Sequence, residues 1–314
     1  MIGALLSLAL YAAPASAGED LGGVLAADTL RPSVDSTTTL VTETHELPPS
    51  FDARATLVGS YKALVGYGPD GEIVDVIRDL AMVHWSAGAR LGPVRLAAAV
   101  PAAVALKGEY FHGVLFAAGD PWFSLKVSPW ADRPAGLAVD LAATVPLQAS
   151  TIWAGSDGPT AELRLLGAIE RERWSGALNL GVHAARAVPL TTGGLEGPSL
   201  GSQALLRAAV GWQLSEPWRL EAELVGATAL VDRDPQSSPL EVLVGAVRAD
   251  PDGRMVRLGV GAGLLPGVGA PAARVVLGVA RRPAAPPAEE APLEVRPPEP
   301  APPPAEAQGT DAAI

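Results

Sequence analysis

The sequence predicts an all-β chain, an antiparallel up-and-down transmembrane β-barrel of about twelve strands, and three observations predict it. Its middle is a succession of short segments in which polar and apolar residues alternate. The connections between those segments are short and long in strict turn. Beyond the N-terminus no apolar run reaches the roughly 18 residues that a membrane helix needs, and the longest, residues 97–106, is interrupted by Pro101.

The elements follow in chain order. Residues 1–13 are almost wholly apolar, with Ile2, Leu5, Leu6, Leu8 and Leu10, and Pro14 is followed by Ala15, Ser16 and Ala17. That small-x-small ending is what signal peptidase cleaves, so residues 1–17 are expected to be a signal peptide although the segment lacks Lys and Arg. The mature chain then begins near Gly18, and residues 18–50 are expected to form an N-terminal periplasmic segment.

Residues 51–281 are assigned to the barrel. Within 82–91, Met82, His84, Ser86, Gly88 and Arg90 share one face of a strand, and Val83, Trp85, Ala87, Ala89 and Leu91 the other. Further along, Asp120, Ser124, Lys126 and Ser128 oppose Phe123, Leu125 and Val127. Glu162, Arg164 and Glu170 oppose Leu163, Leu165 and Ile169, while Arg219, Glu221 and Glu223 oppose Trp218, Leu220, Ala222 and Leu224. The strands predicted in this way are 53–66, 82–91, 94–100, 120–128, 136–145, 160–170, 174–184, 203–214, 218–228, 240–249, 254–263 and 272–281.

Tight turns at 92–93, 130–135, 171–173, 215–217 and 250–253 are rich in turn residues. Longer links fall between them, at 67–81, 101–119, 146–159, 185–202, 229–239 and 264–271. In an up-and-down barrel odd and even connections lie at opposite rims, and outer-membrane barrels have short periplasmic turns. An even strand count puts both chain ends on that side. Closure also removes the lipid-exposed sheet edge, whose unpaired backbone groups would each cost several kcal/mol. Trp130, Trp174, Trp212 and Trp218 sit in or beside short turns, as an interfacial girdle requires, although ordinary core aromatics would read the same way. The alternative fold is a secreted or periplasmic β-sandwich or lipocalin-like binding module, in which the apolar strand faces build a core instead of meeting lipid.

From Arg281 the composition changes to Pro, Ala and Glu, with ten prolines between Pro283 and Pro304. Residues 282–314 are therefore expected to be a disordered tail, either a spacer towards a periplasmic partner or a solvated end.

Composition excludes much chemistry. Cysteine is absent, which removes disulfides, thiolate metal sites and a cysteine nucleophile. A net charge of −11 without a basic stripe excludes nucleic acid as a partner. None of His45, His84, His112 and His183 is paired at a metal-ligand spacing, so no metal and no cofactor is expected. No nucleophile elbow is expected, His84 and His183 have no convincing acidic neighbour for a rim hydrolase, and no catalytic residue is assigned. Gly259, Gly261 and Gly263 lie in a strand pattern and point to close packing or a bend. The loops at 68–71 and 250–253 are turns without the oxygen ligands of a cation site.

What remains is the set that alternation turns inward: Arg54, Lys62, His84, Arg90, Lys126, Asp140, Glu162, Arg164, Asn179, His183, Arg207, Arg219, Glu221, Glu223 and Arg274. These are the expected lumen-lining residues. They suit a narrow hydrated pore or a salt-bridged occlusion, and mixed charge in a barrel of this size favours partial occlusion.

Several short motifs resemble the N-terminal barrel of OmpA-family outer-membrane proteins of Gram-negative bacteria. They are Leu30-Arg31-Pro32-Ser33-Val34-Asp35, Gly119-Asp120-Pro121-Trp122-Phe123-Ser124-Leu125-Lys126-Val127, Ser238-Pro239-Leu240-Glu241, and 261–271 followed by Arg274-Val275. The resemblance covers about residues 25–282. It implies outer-membrane lipid and the barrel-assembly machinery as partners, although the last strand ends in Ala280-Arg281-Arg282 rather than an aromatic residue. In longer members a linker leads to a peptidoglycan-binding domain; here the Pro-rich tail takes the linker's place, and peptidoglycan binding is not expected. The expectation is a structural or porin-like envelope protein of the outer membrane, without catalysis.

Overall fold

The computed structural model describes residues 30–35, 39–48, 50–67, 73–108, 117–147, 158–192, 195–231, 233, 237–265 and 267–281. The expected signal peptide and Pro-rich tail lie outside them, as do His112 and the turn at 68–71.

Alternating side chains on an extended backbone give one apolar and one polar sheet face, and closure turns the polar face inward. The strands are β1 (Phe51–Tyr67), β2 (Ile73–Leu91), β3 (Val94–Lys107), β4 (Ala117–Ala118), β5 (Trp122–Val127), β6 (Ala135–Thr144), β7 (Thr160–Arg171), β8 (Trp174–Ala184), β9 (Val188–Thr192), β10 (Leu195–Leu200), β11 (Gln203–Ser215), β12 (Trp218–Ala229), β13 (Leu240–Ala249), β14 (Arg254–Leu265) and β15 (Ala273–Arg281). Each barrel strand pairs antiparallel with its sequence neighbours, β8 passing directly to β11, and β9 and β10 form a separate hairpin. Because β4 and β5 both pair with β3, they are two pieces of one stave. The first and last strands close the ring, from Ala53 opposite Arg281 to Tyr61 opposite Ala273. The result is a closed barrel of twelve staves.

The β1–β3 region reaches further than alternation suggested. β2 starts at Ile73 rather than 82, and β3 continues through Pro101 to Lys107. Pro101 supplies no N–H, yet its carbonyl accepts from the Gly119 N–H at 2.8 Å, so the strand continues through it. A bulge interrupts β1 at Lys62, whose φ is 52°, and the register with β2 shifts there. Among the tight turns, Gly92 (φ 62°) and Gly253 (φ 85°) adopt the left-handed conformation that glycine tolerates.

The outward face is a band of exposed Leu, Val and Ile, including Leu163, Leu165, Leu180, Leu220, Leu258 and Leu277. Trp174 and Trp212 stack at 5.5 Å between centroids beside the short-turn rim, and Trp130 and Trp218 are exposed there too. Trp122, by contrast, is buried at the opposite end of the wall.

The N-terminal segment requires a correction. Residues 30–35 and 39–48, expected to be periplasmic, lie inside the barrel: Leu30, Val34, Asp35, Leu40, Val41, Glu43, His45 and Leu47 are all at most 5% exposed. The physical reason is volume. Much of the inner wall is small, with Ala97, Ala99, Ala138, Ala142 and Ala209 buried there. Twelve staves with such side chains enclose more space than the wall can fill, and a chain segment fills it.

Candidate functional site

The site is the occupied lumen. The segment runs from the short-turn rim, where β1 begins, towards the long-loop rim, and wall groups hold it along its length. At the short-turn mouth the His45 Nε2–H donates to the Arg133 carbonyl at 2.8 Å, and the Ser128 hydroxyl donates to the His45 carbonyl. The imidazole fits because position 136 is glycine; a Cβ there would lie 2.6 Å from its Cδ2. Arg90 grips Asp132 of the 128–134 turn through two hydrogen bonds of 2.8 and 2.7 Å. Half-buried Glu46 has its carboxyl raised to about 7, first by burial and then by the neighbouring Glu170 carboxylate.

Deeper in, the wall satisfies the segment's backbone, as buried peptide groups require. The Glu223 carboxylate accepts N–H bonds from Leu40 (2.6 Å), Val41 (3.1 Å) and Thr42 (2.7 Å). Asn179 pairs with Glu43 as a strand would, its Oδ1 accepting at 2.8 Å and its Nδ2 donating at 2.6 Å. Arg54 donates to the Leu40 carbonyl (3.0 Å) and Arg257 to the Thr39 carbonyl (3.1 Å). The Leu40 side chain enters a hollow at Gly245 and Gly259, where an added Cβ would meet its Cδ1 at 3.0 and 2.4 Å. Leu30, Leu40, Val41, Val58, Leu243 and Val276 form one apolar cluster around it.

Buried charges are matched in pairs across the same boundary, which offsets their desolvation. Asp35 meets Arg95 at 2.5 Å and also Lys126. Glu43 lies 3.7 Å from Lys126 and 3.5 Å from Arg164. On the wall, Arg95 pairs with Asp52 at 2.7 Å, and Arg164 with Asp140 at 2.6 Å and Glu162 at 3.1 Å. Towards the long-loop rim Arg31 reaches Glu162 at 3.3 Å and lies over the Trp122 ring, 5.6 Å from its centroid.

With this geometry in place, the comparisons bear on the fold. No family model matches the sequence, and no curated protein matches it. Among solved structures the chain is similar to an outer-membrane channel of Pseudomonas putida F1, at 12% identity and a TM-score of 0.55, over 76% of this chain and 97% of that one. A NanC porin aligns at 7% identity and a TM-score of 0.49, over 74% of this chain and 100% of the porin. The likeness is one of fold.

Of the residues that alternation turned inward, Arg54, His84, Lys126, Asp140, Glu162, Arg164, Asn179, Arg207, Glu221, Glu223 and Arg274 are buried within the barrel. His183 is partly buried, 3.8 Å from Glu162, and Arg219 pairs with Glu221 at 2.5 Å. Lys62 sits on the bulge, 3.6 Å from Asp75, and Arg90 belongs to the mouth. Arg274 binds Glu241 at 2.7 Å and the Gly269 carbonyl at 2.8 Å, tying the β14–β15 loop to the wall.

Sequence reasoning missed Arg95, Arg257 and Glu241, although all three stand at inward positions of their strands and the same alternation could have found them. It missed Asp35 and Glu43 for a better reason: no periodicity marks an irregular segment. It also passed over Gly197-Pro198-Ser199-Leu200-Gly201, which has the G-x-S-x-G spelling. That run ends β10 of a hairpin rather than joining a strand to a helix, so it is not a nucleophile elbow. Gly259, Gly261 and Gly263 face inward, taking Leu40, Glu241 and the 270–271 backbone respectively, which is close packing. Among the described residues no group of three His, Asp or Glu is placed to hold a metal ion.

Proposed function

We propose that this chain is a porin-like barrel of a Gram-negative outer membrane whose passage is held shut by its own N-terminal segment. The observation that carries the reading is the lumen itself: a ring of charged wall residues with residues 30–35 and 39–48 seated on it. The apolar outward band supports lipid as the surroundings, since a soluble sandwich or lipocalin-like module would keep those Leu and Val side chains in a core. The fold likeness to an outer-membrane channel supports the same reading. The OmpA-family resemblance belongs with it as the finer assignment.

Planar-bilayer recording tests the proposal. Full-length protein is expected to stay silent at low voltage, with rare openings, and a variant lacking residues 18–48 is expected to conduct steadily. Silence from that variant, folded by the criterion of faster gel migration before boiling, would leave a purely structural role.

A further inference from the structure

The wall grips the N-terminal segment mainly with cations. Arg95 and Lys126 hold Asp35, and Lys126 and Arg164 hold Glu43. Arg54, Arg207 and Arg257 donate to its carbonyls. Carboxylates enter the contact at Glu223, at Glu162 opposite Arg31 and, at the mouth, at Glu170 beside Glu46. The surface that the segment covers is thus more basic than acidic, in a chain whose net charge is −11.

Lys126 is the centre of that surface. Its side chain is 1% exposed, and among the described residues both of its ion pairs run to the segment, to Asp35 and Glu43. Its neighbours differ, because Arg95 and Arg164 each also have a wall carboxylate, Asp52 or Asp140. In the sheet Arg95 stands opposite Lys126, Lys126 opposite Asp140, and Asp140 opposite Arg164, so the four form a continuous belt across β3, β5, β6 and β7. If the segment withdraws, water enters the lumen and the belt's cations are left open to an entering anion.

We infer that this belt is the solute-binding site of the opened barrel, that it takes small solutes bearing two carboxylate groups, and that Asp35 and Glu43 occupy it as built-in stand-ins. Two carboxylates are specified because the segment already brings two to one ammonium, each shared with a flanking guanidinium. The inference rests on the reading of the chain as a plugged passage. It also gives opening a driving force, since a solute that pairs with the belt only when the segment is out shifts the balance towards the open state.

The test uses the variant lacking residues 18–48 and the full-length D35N/E43Q variant, each first shown to be folded by its heat-dependent gel migration. In a KCl gradient both are expected to show a reversal potential on the chloride side, and succinate, but not 1,4-diaminobutane, is expected to block the current. Adding K126Q to the shortened variant is expected to weaken the succinate block by about tenfold or more, the loss of one charge-assisted contact of roughly 1.4 kcal/mol. A conducting barrel that prefers potassium, or that diaminobutane blocks and succinate does not, overturns the anion site and leaves the plugged passage standing. Silence from both folded variants overturns the passage and the site with it. The full-length pair of substitutions answers the question if the shortened chain does not fold.

Discussion

Glu223 shows how one residue organises the lumen. A single carboxylate accepts hydrogen bonds from three consecutive N–H groups, Leu40 to Thr42, and so fixes the bend of the segment where it meets β12. Glu223→Ala leaves buried donors unpaired at about 1–3 kcal/mol each; the expected outcome is faster proteolysis of the N-terminal segment in reconstituted vesicles and more frequent openings. Gly259 makes the complementary point about space. Leu40 sits where a side chain at 259 would be, so Gly259→Val is expected to push the segment off the wall and raise open probability, whereas Val260→Ala, on the lipid side of the same strand, leaves it unchanged.

A third residue, Glu46, is expected to make the seating of the segment depend on pH. Burial and the adjacent Glu170 carboxylate raise it from 4.5 to about 7, while Arg219 and Lys126 act in the opposite direction. An acid raised in the seated state disfavours seating wherever it must ionise, so the hold is greatest below about pH 4.5, falls up to about 7 and then levels off. Open probability is expected to rise across that window, and Glu46→Gln to flatten the profile.

At the scale of elements, strand parity was legible in the sequence because a period of two needs no knowledge of neighbours. Leu163, Leu165, Glu162 and Arg164 reveal their faces by spacing alone. Element length was less legible: β2 begins at Ile73 and β3 continues past Pro101, because pairing with a neighbour, not local propensity, decides how far an edge of the ladder extends. The lipid face predicts its own cost. Leu165→Arg, at an exposed outward site midway along β7, is expected to destabilise the vesicle-folded barrel by about 2–4 kcal/mol in a denaturant titration. Leu214→Arg, at the end of β11 beside the short-turn rim, is expected to cost about 0–1 kcal/mol.

For the whole molecule, closure and filling depend on each other. Pairing β1 with β15 abolishes the sheet edges, and it also creates an interior lined by charges and closed off from the apolar outer face. Those charges need partners, and the segment brings Asp35, Glu43, Arg31 and a row of backbone groups to them. Removing the segment should therefore affect stability as well as conductance. The variant lacking residues 18–48 is expected to unfold at a lower temperature than the full-length protein in the same detergent, followed by the loss of its fast-migrating gel form.

The sequence by itself determined the barrel: alternation set the two faces, and alternating connection lengths set the up-and-down order, since both are local properties of an extended chain. Only the tertiary structure decided that residues 30–35 and 39–48 lie inside. That outcome depends on the volume left by small wall side chains and on ion pairs such as Asp35 with Lys126, separated by 91 residues, and no spacing within the segment records either.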